Sequence, residues 1–148
     1  CTMRLSRFTD IGLRALMYVG ASEGRVSARE VADSFNVSKD HVVKSLQALV
    51  AIGALSSTVG RSGGFEMHAD PRSLRIGRVI RKLEPSLALA ECFGPDSGCP
   101  LTSSCELAEA LDQAQTAFFD VLDRYTLADL LESNHQGLVQ IMFASAGA

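Results

Sequence analysis

The chain has 148 residues, of which 47% are hydrophobic and 21% charged, with a mean hydropathy of +0.14. That length suits one ordinary domain, or a small domain with an appendage, and the composition does not indicate disorder. The apolar runs are too short to span a membrane and no secretory leader opens the chain, so we expect a cytoplasmic protein. In that reducing compartment, the four cysteines favour metal binding or redox chemistry over structural disulfides.

Charge is distributed unevenly along the chain. Residues 1–84 carry 13 Lys and Arg against 8 Asp and Glu, a balance of +5. Residues 85–148 carry 1 basic residue against 9 acidic ones, a balance of −8, and the whole chain has a net charge of −3. The basic front part therefore indicates a polyanionic partner such as nucleic acid for that part alone.

The first predicted helix spans Thr9–Ala21, with Thr9 as its N-cap and apolar residues such as Leu13 and Leu16 at helical spacing on one face. Asp10 lies in its first turn, where the helix dipole favours a carboxylate. On residue type alone, this structural role is the preferred interpretation of Asp10.

Two short helices joined by a tight turn are predicted next. Residues 27–30 have the Ser-x-x-Glu pattern of a capping box, opening a helix that runs through Phe35. Asn36 tolerates the left-handed backbone of a turn, and Ser38 caps a second helix that runs to about Ala51. This order predicts a helix-turn-helix.

The second of these helices has a polar face suited to a DNA major groove. That face and the start of the helix comprise Ser38, Lys39, Asp40, His41, Lys44, Gln47 and Ala48. An ordinary solvated helix face has a similar composition, so the pattern alone favours DNA binding only modestly.

A glycine-rich hairpin follows and strengthens that interpretation. Residues 54–59 and 65–68 read as strands, and residues 60–64 as the loop between them. A helix-turn-helix followed by such a hairpin has the winged-helix order. Arg61 and Ser62 lie at the tip of the wing, where an arginine suits phosphates or a narrow minor groove. We therefore predict a mainly α fold with a small β-hairpin wing, forming a winged helix-turn-helix DNA-binding domain over residues 3–84.

The remainder of the chain is predicted to be helical on either side of a loop. Residues 71–84 form a supporting helix with solvated basic residues, and residues 85–105 form a cysteine loop. Residues 106–133 contain the longest helix and a short final one, and 134–148 form a tail. The longest helix has a predicted apolar stripe consisting of Leu107, Leu111, Ala114, Phe118 and Leu122, with Phe119 beside it. The stripe favours a symmetric dimer over packing on its own domain.

Three cysteines, Cys92, Cys99 and Cys105, lie in the loop with the spacing C-x6-C-x5-C. Structural zinc usually has closely spaced cysteine pairs and ferredoxins have C-x2-C-x2-C, and neither pattern is present. No histidine has an evident link to the loop that would indicate a nucleophilic cysteine. An iron–sulfur cluster ranks first, redox-active thiols second and zinc third, and the first requires a further ligand.

Together, the start Met3-Arg-Leu-Ser-Arg-Phe-Thr-Asp10, the loop Gly60-Arg-Ser-Gly-Gly64 and the segment Cys92…Gly98-Cys-Pro-Leu…Cys105 resemble the NsrR/IscR/RirA family of bacterial iron–sulfur repressors. The resemblance covers residues 3 to about 133. It implies a homodimer that binds palindromic DNA operators, with one cluster per subunit controlling DNA affinity. The implied cluster is 4Fe–4S, with a 2Fe–2S form after oxygen exposure.

The fourth ligand distinguishes the branches of that family. IscR-like members place a histidine shortly after the third cysteine, where this chain has Glu106-Leu-Ala. NsrR-like members use an aspartate of the first helix, donated across the dimer, and Asp10 matches that position. This resemblance implies a nitric-oxide-sensing repressor with Cys92, Cys99, Cys105 and Asp10 as ligands. RirA-like members are similar around residues 90–92 and 117–122, which keeps an iron-responsive or redox-responsive regulator as the alternative. A redox enzyme or electron carrier is a third, less favoured class.

Overall fold

The computed structural model describes residues 4–94, 97–101 and 104–147. Met3, at which the resemblance begins, lies outside them. The described residues are mainly helical with one two-stranded antiparallel hairpin, which confirms the predicted fold class. The helices are α1 Arg7–Ala21, α2 Ala28–Phe35, α3 Lys39–Ala51, α4 Ile76–Leu83, α5 Glu106–Leu122, α6 Leu127–Ser133 and α7 His135–Ala146. The strands are β1 Leu55–Thr58 and β2 Gly64–Met67, and a 3-10 turn spans Glu91–Phe93.

Helix α1 begins earlier than its sequence predicts. Ser6, not Thr9, is the N-cap, and its hydroxyl accepts a hydrogen bond from the Thr9 amide at 3.2 Å. Thr9 is fully buried inside the first turn, so the predicted N-cap is wrong. The Ser6 amide in turn donates to the Glu84 carboxylate at 3.1 Å, which joins the start of α1 to the residue after α4.

The helix-turn-helix forms as predicted. Both hydrogen bonds of the Ser27–Glu30 capping box are present at the start of α2. Asn36 has a φ of 50°, the left-handed conformation that the tight turn requires. Ser38 is the N-cap of α3, although its side chain makes no capping hydrogen bond.

The hairpin pairs β1 with β2 from Leu55 opposite Met67 to Thr58 opposite Gly64. The first strand is shorter than the predicted 54–59, and the second begins and ends one residue earlier than the predicted 65–68. Val26, between α1 and α2, exchanges two backbone hydrogen bonds with Phe65 at 2.9 and 2.8 Å. This bridge adds a third, one-residue strand to the hairpin. The wing is therefore attached to the α1–α2 connection as well as to α3.

Helix α4 is shorter than the predicted helix over 71–84 because residues 70–73 form a separate turn. The Asp70 carboxylate accepts from the Arg72 amide at 2.9 Å, and the Asp70 carbonyl accepts from the Ser73 amide at 2.9 Å. Arg75 is then extended and forms a bridge with Thr126. Thr126 opens α6 with a second capping box, in which its backbone and side-chain hydrogen bonds lower the pKa of Asp129.

One apolar core joins the hairpin to helices from both ends of the chain. Its largest fully buried side chains include Leu16, Leu46, Leu49, Leu55, Ile80 and Leu127. Helix α7 lies in the region for which the sequence predicts only a tail. It packs on α1 and α2, Leu138 is buried, and Ile141 and Met142 pack against the core. Among the described residues, no helix is both long and apolar enough to cross a membrane.

Candidate nucleic-acid interface and cysteine loop

Helix α3 is held by one face and exposes the other. Val42, Leu46 and Leu49 are fully buried against the core. The polar residues predicted to contact DNA all lie on the exposed side: Ser38, Lys39, His41, Lys44 and Gln47. The structure thus brings them together on one continuous surface, which the rigid apolar face keeps in place.

Ser45 connects α3 to α1 and was not singled out from the sequence. Its side chain is fully buried, and its hydroxyl donates to the Phe8 carbonyl at 3.2 Å. Close packing supports the same junction, because a Cβ on Gly12 would lie 2.9 Å from Leu83 Cδ1 and 3.8 Å from Ser45 Cβ. The sequence signal for this contact was a polar residue, Ser45, within the otherwise apolar stripe of α3.

The wing tip presents Arg61 and Ser62 to solvent, as the sequence predicts. Arg25, from the α1–α2 connection, donates to the Ser62 carbonyl at 3.4 Å and pairs with the Glu66 carboxylate at 3.5 Å. Arg25 therefore joins the wing to the α1–α2 connection. No local sequence pattern reveals this contact, since Arg25 lies 37 and 41 residues from its partners.

Asp10 lies in the first turn of α1, and its carboxylate contacts two nitrogens of the Arg14 guanidinium, Nε at 3.1 Å and Nη2 at 2.8 Å. Its side chain is 48% exposed. An exposed pair of this kind contributes at most about 1 kcal/mol, so the carboxylate can exchange Arg14 for another partner at low cost. The same turn contains Ser6 and Phe8, which hydrogen-bond to Glu84 and Ser45.

The cysteine loop leads into α5. Cys92 lies in the 3-10 turn, Cys99 is exposed, and Cys105 is the N-cap of α5. None of these three cysteines is in a disulfide. Within residues 4–94, 97–101 and 104–147, no three His, Cys, Asp or Glu side chains are arranged to hold a metal ion. Three thiols nevertheless form a donor set whose chemistry fits an iron–sulfur cluster.

The approach to the loop is attached to α5. The Gln115 side-chain amide donates to the Leu87 carbonyl, and Gln115 lines an open hollow of about 330 Å³ together with residues 86–88, Phe93 and Gly94. The start of the loop is therefore positioned by α5 on one side, while Cys92 lies next to the wall of the hollow.

Helix α5 packs on α4 through a compact junction. Phe119 is buried, and the Arg81 guanidinium lies 4.2 Å from the centre of its ring. Arg81 also pairs with the Asp123 carboxylate at 2.7 Å, and Arg75 donates to the Asp123 carbonyl at 3.0 Å. Both arginines are exposed, as the sequence predicts for the basic residues of this helix, and they also hold the end of α5.

The residues of the predicted stripe on α5 differ in exposure, because the stripe lies between the side that packs on the protein and the outward face. Leu111 and Leu122 are half-buried on the side of Phe119. The outward face exposes Leu107, Phe118 and other large side chains at helical spacing. It comprises Leu107, Ala110, Ala114, Ala117, Phe118 and Val121, and Tyr125 continues it beyond the end of α5.

The profile of the Rrf2 family, described as iron-dependent transcriptional regulators, matches residues 5–133. The chain belongs to the Rrf2 family. The fold of this Rrf2 protein is similar to that of IscR from T. potens, with a TM-score of 0.71 and 23% identity over 91% of this chain and 90% of that chain. CymR, the global cysteine regulator of B. subtilis, has a TM-score of 0.70 and 24% identity over 89% of this chain and 98% of that one. S. aureus CymR has a TM-score of 0.66 and 25% identity over 86% and 97%.

Family membership confirms several predictions from the sequence. The protein is a DNA-binding transcriptional regulator and not an enzyme. Rrf2 regulators are typically dimeric, and the family includes iron–sulfur-binding members such as IscR.

Proposed function

We propose that this Rrf2 protein is a cytoplasmic, homodimeric repressor whose affinity for a palindromic operator is controlled by a 4Fe–4S cluster that senses nitric oxide. The observation that carries the proposal is the position of Asp10. It lies in the one turn of α1 that is hydrogen-bonded both to α3 and to the end of α4, and it matches the carboxylate ligand of NsrR-like regulators.

Cys92, Cys99 and Cys105 of one chain would hold the cluster together with Asp10 of its partner. When bound, the cluster would supply one iron that is held by a carboxylate, a harder and more labile ligand than a thiolate. Nitric oxide could attack at that iron. Recruiting Asp10 breaks its exposed pair with Arg14, which costs at most about 1 kcal/mol. After oxygen exposure, the same thiols would hold a 2Fe–2S cluster.

The hydrogen bonds of the first turn of α1 provide a path to the DNA-binding surface. When Asp10 is held by the partner's loop, the turn is fixed, and Ser45 transmits its position to α3 through the Phe8 carbonyl. When Asp10 is released, it returns to Arg14, and the turn is free to shift against α3 and Glu84. The result is a coupling between the cluster site and the DNA site, each of which biases the same turn.

The outward face of α5 would form the dimer. Its apolar residues recur at spacings of three and four between Leu107 and Val121, which is the pattern of a helix pair packed along one seam. Two copies related by a twofold axis would also supply two α3 helices for the two halves of a palindrome. The proposed ligand set requires that this dimer also bring a partner's α1 within reach of the loop that precedes α5.

Mixed dimers test the proposed ligand set. A dimer of one Asp10→Ala chain and one Cys99→Ser chain contains one complete site if Asp10 acts across the interface, and none if it acts within its own chain. We therefore expect the mixed dimer to contain half as many chelator-resistant clusters as the wild-type dimer under anaerobic conditions. Homodimers of either variant should contain none that resist it. Resistant clusters in the Asp10→Ala homodimer at the wild-type level would remove Asp10 from the site.

An iron-responsive regulator is the second candidate, favoured by the family description as iron-dependent. It would use the same three cysteines, with cluster loss under iron limitation as the signal. Operator binding that responds to an iron chelator but not to nitric oxide would establish this candidate in place of the first.

A further inference from the structure

Val59 is the most exposed large apolar side chain among the described residues, at 97% exposure. It follows β1 directly, and Leu55 at the start of the same strand is buried in the core. A fully solvated valine on a short, ordered hairpin gains nothing for the isolated fold, since burial is what makes a valine side chain stabilising. Its whole side chain is therefore available to a partner that approaches the wing.

The turn next to Val59 is held by several contacts. The Gly63 amide donates to the Gly60 carbonyl at 3.0 Å, which closes the turn. A Cβ on Gly63 would overlap the Thr58 carbonyl oxygen, so the two backbone segments of the hairpin approach closely there. Arg25 holds the other side of the turn through the Ser62 carbonyl at 3.4 Å.

The immediate surroundings of Val59 indicate what covers it. Arg61 is exposed two residues away, and residues 1–84 carry the chain's excess of positive charge. A protein partner with an apolar patch would have to tolerate that charge, whereas DNA combines phosphates with the apolar faces of deoxyribose. DNA is also the polymer that an Rrf2 regulator binds.

We propose that Val59 is a specificity-determining DNA contact, packed in the minor groove beside Arg61 while α3 occupies the adjacent major groove. The inference rests on the proposed function, in which α3 contacts the operator, and adds the wing to that contact. In the minor groove, the exocyclic amino group of guanine protrudes where A·T pairs leave an open floor. A branched apolar side chain therefore fits A·T pairs and is opposed by G·C pairs, and the arginine adds a preference for a narrow groove.

The first experiment measures binding to a duplex selected by this protein from a random-sequence library, with the cluster state held constant. Val59→Ala should weaken binding about fifteenfold for each half-site, because about two buried methyl groups are lost at each wing. Since the contact is uncharged, the slope of log affinity against log salt should stay unchanged, whereas Arg61→Ala, which removes one cation from each of two wings, should reduce that slope by about two. Phe143→Ala is the control, because Phe143 is 74% exposed on α7, away from the wing.

The second experiment changes the DNA opposite the wing. Replacing A·T pairs there with I·C pairs preserves a minor groove without the amino group, and binding should be retained. Replacing them with G·C pairs should weaken wild-type binding more than it weakens binding by Val59→Ala, which keeps only the preference of Arg61 for a narrow groove.

The outcomes separate this inference from the proposed function. If only Arg61→Ala weakens binding, the wing contacts DNA and the role of Val59 is wrong. If neither variant weakens binding, the wing is not on the DNA and its proposed placement fails. A changed salt slope for Val59→Ala would show that the whole wing has moved, which would also overturn a direct contact.

Discussion

Phe118 offers the sharpest test of the proposed dimer, because it is the largest apolar side chain on the outward face of α5. It is 43% exposed. A phenylalanine side chain presents roughly 200 Å² in total, so about 85 Å² is available for burial. Covering that area at about 25 cal/mol/Å² contributes about 2 kcal/mol. A twofold interface contains the residue twice, so Phe118→Ala should weaken the dimer by up to about 4 kcal/mol, or about a thousandfold in dissociation constant.

Sedimentation equilibrium measures this dissociation constant directly. Phe143→Ala is the matched control, since it removes a more exposed phenylalanine from α7 without touching α5. The expected result is a monomer at micromolar concentration for Phe118→Ala and a dimer for the control, with the same helix content by circular dichroism. A wild-type dissociation constant for Phe118→Ala, or an equal loss in both variants, would refute dimerisation through this face.

Three further predictions concern the DNA surface, its link to α1 and the α4–α5 junction. Lys44→Ala and Arg61→Ala should each weaken operator binding about tenfold without changing iron content, measured by fluorescence anisotropy and metal analysis. Ser45→Ala should lower the free energy of unfolding in urea by about 1 kcal/mol and reduce the difference in DNA affinity between the cluster-containing and cluster-free forms. An unchanged difference would exclude this link from the coupling. Gly77→Ala should destabilise the fold by about 1–2 kcal/mol, because the added Cβ overlaps the carboxylate after α5 and this outweighs the gain in helix propensity. Gly137→Ala, where a Cβ meets open space in α7, should instead stabilise it.

Features set by neighbouring residues were predictable from the sequence. The Ser27–Glu30 capping box and the turn at Asn36 depend on hydrogen bonds and backbone preferences within a few residues. Both therefore appear in the structure where the sequence places them. The winged-helix order followed from the same local signals, read one after another along the chain.

Features set by distant contacts were not predictable in the same way. Ser6 replaces Thr9 as the N-cap of α1 because it is also held by Glu84, 78 residues away. On α5, apolar residues cover two sides of the helix, and only the position of α4 decides that Phe119 is inside and Phe118 outside.

The cysteine loop shows the limit of both kinds of reasoning. Its three thiols are evident from the sequence, and their chemistry indicates iron. The proposed fourth ligand, Asp10, is paired with Arg14 within the single chain, and the proposed site is complete only between two chains. When the ligands of a site come from two chains, no local sequence pattern indicates the site. Only the resemblance to a family indicates the fourth ligand.

The central claim is that DNA affinity follows the state of the cluster. Protein purified without oxygen should be titrated with nitric oxide while the cluster absorbance and the fraction of bound operator are recorded in the same sample. The account predicts that operator is released in step with the loss of absorbance. Loss of the absorbance with no change in operator binding would contradict it.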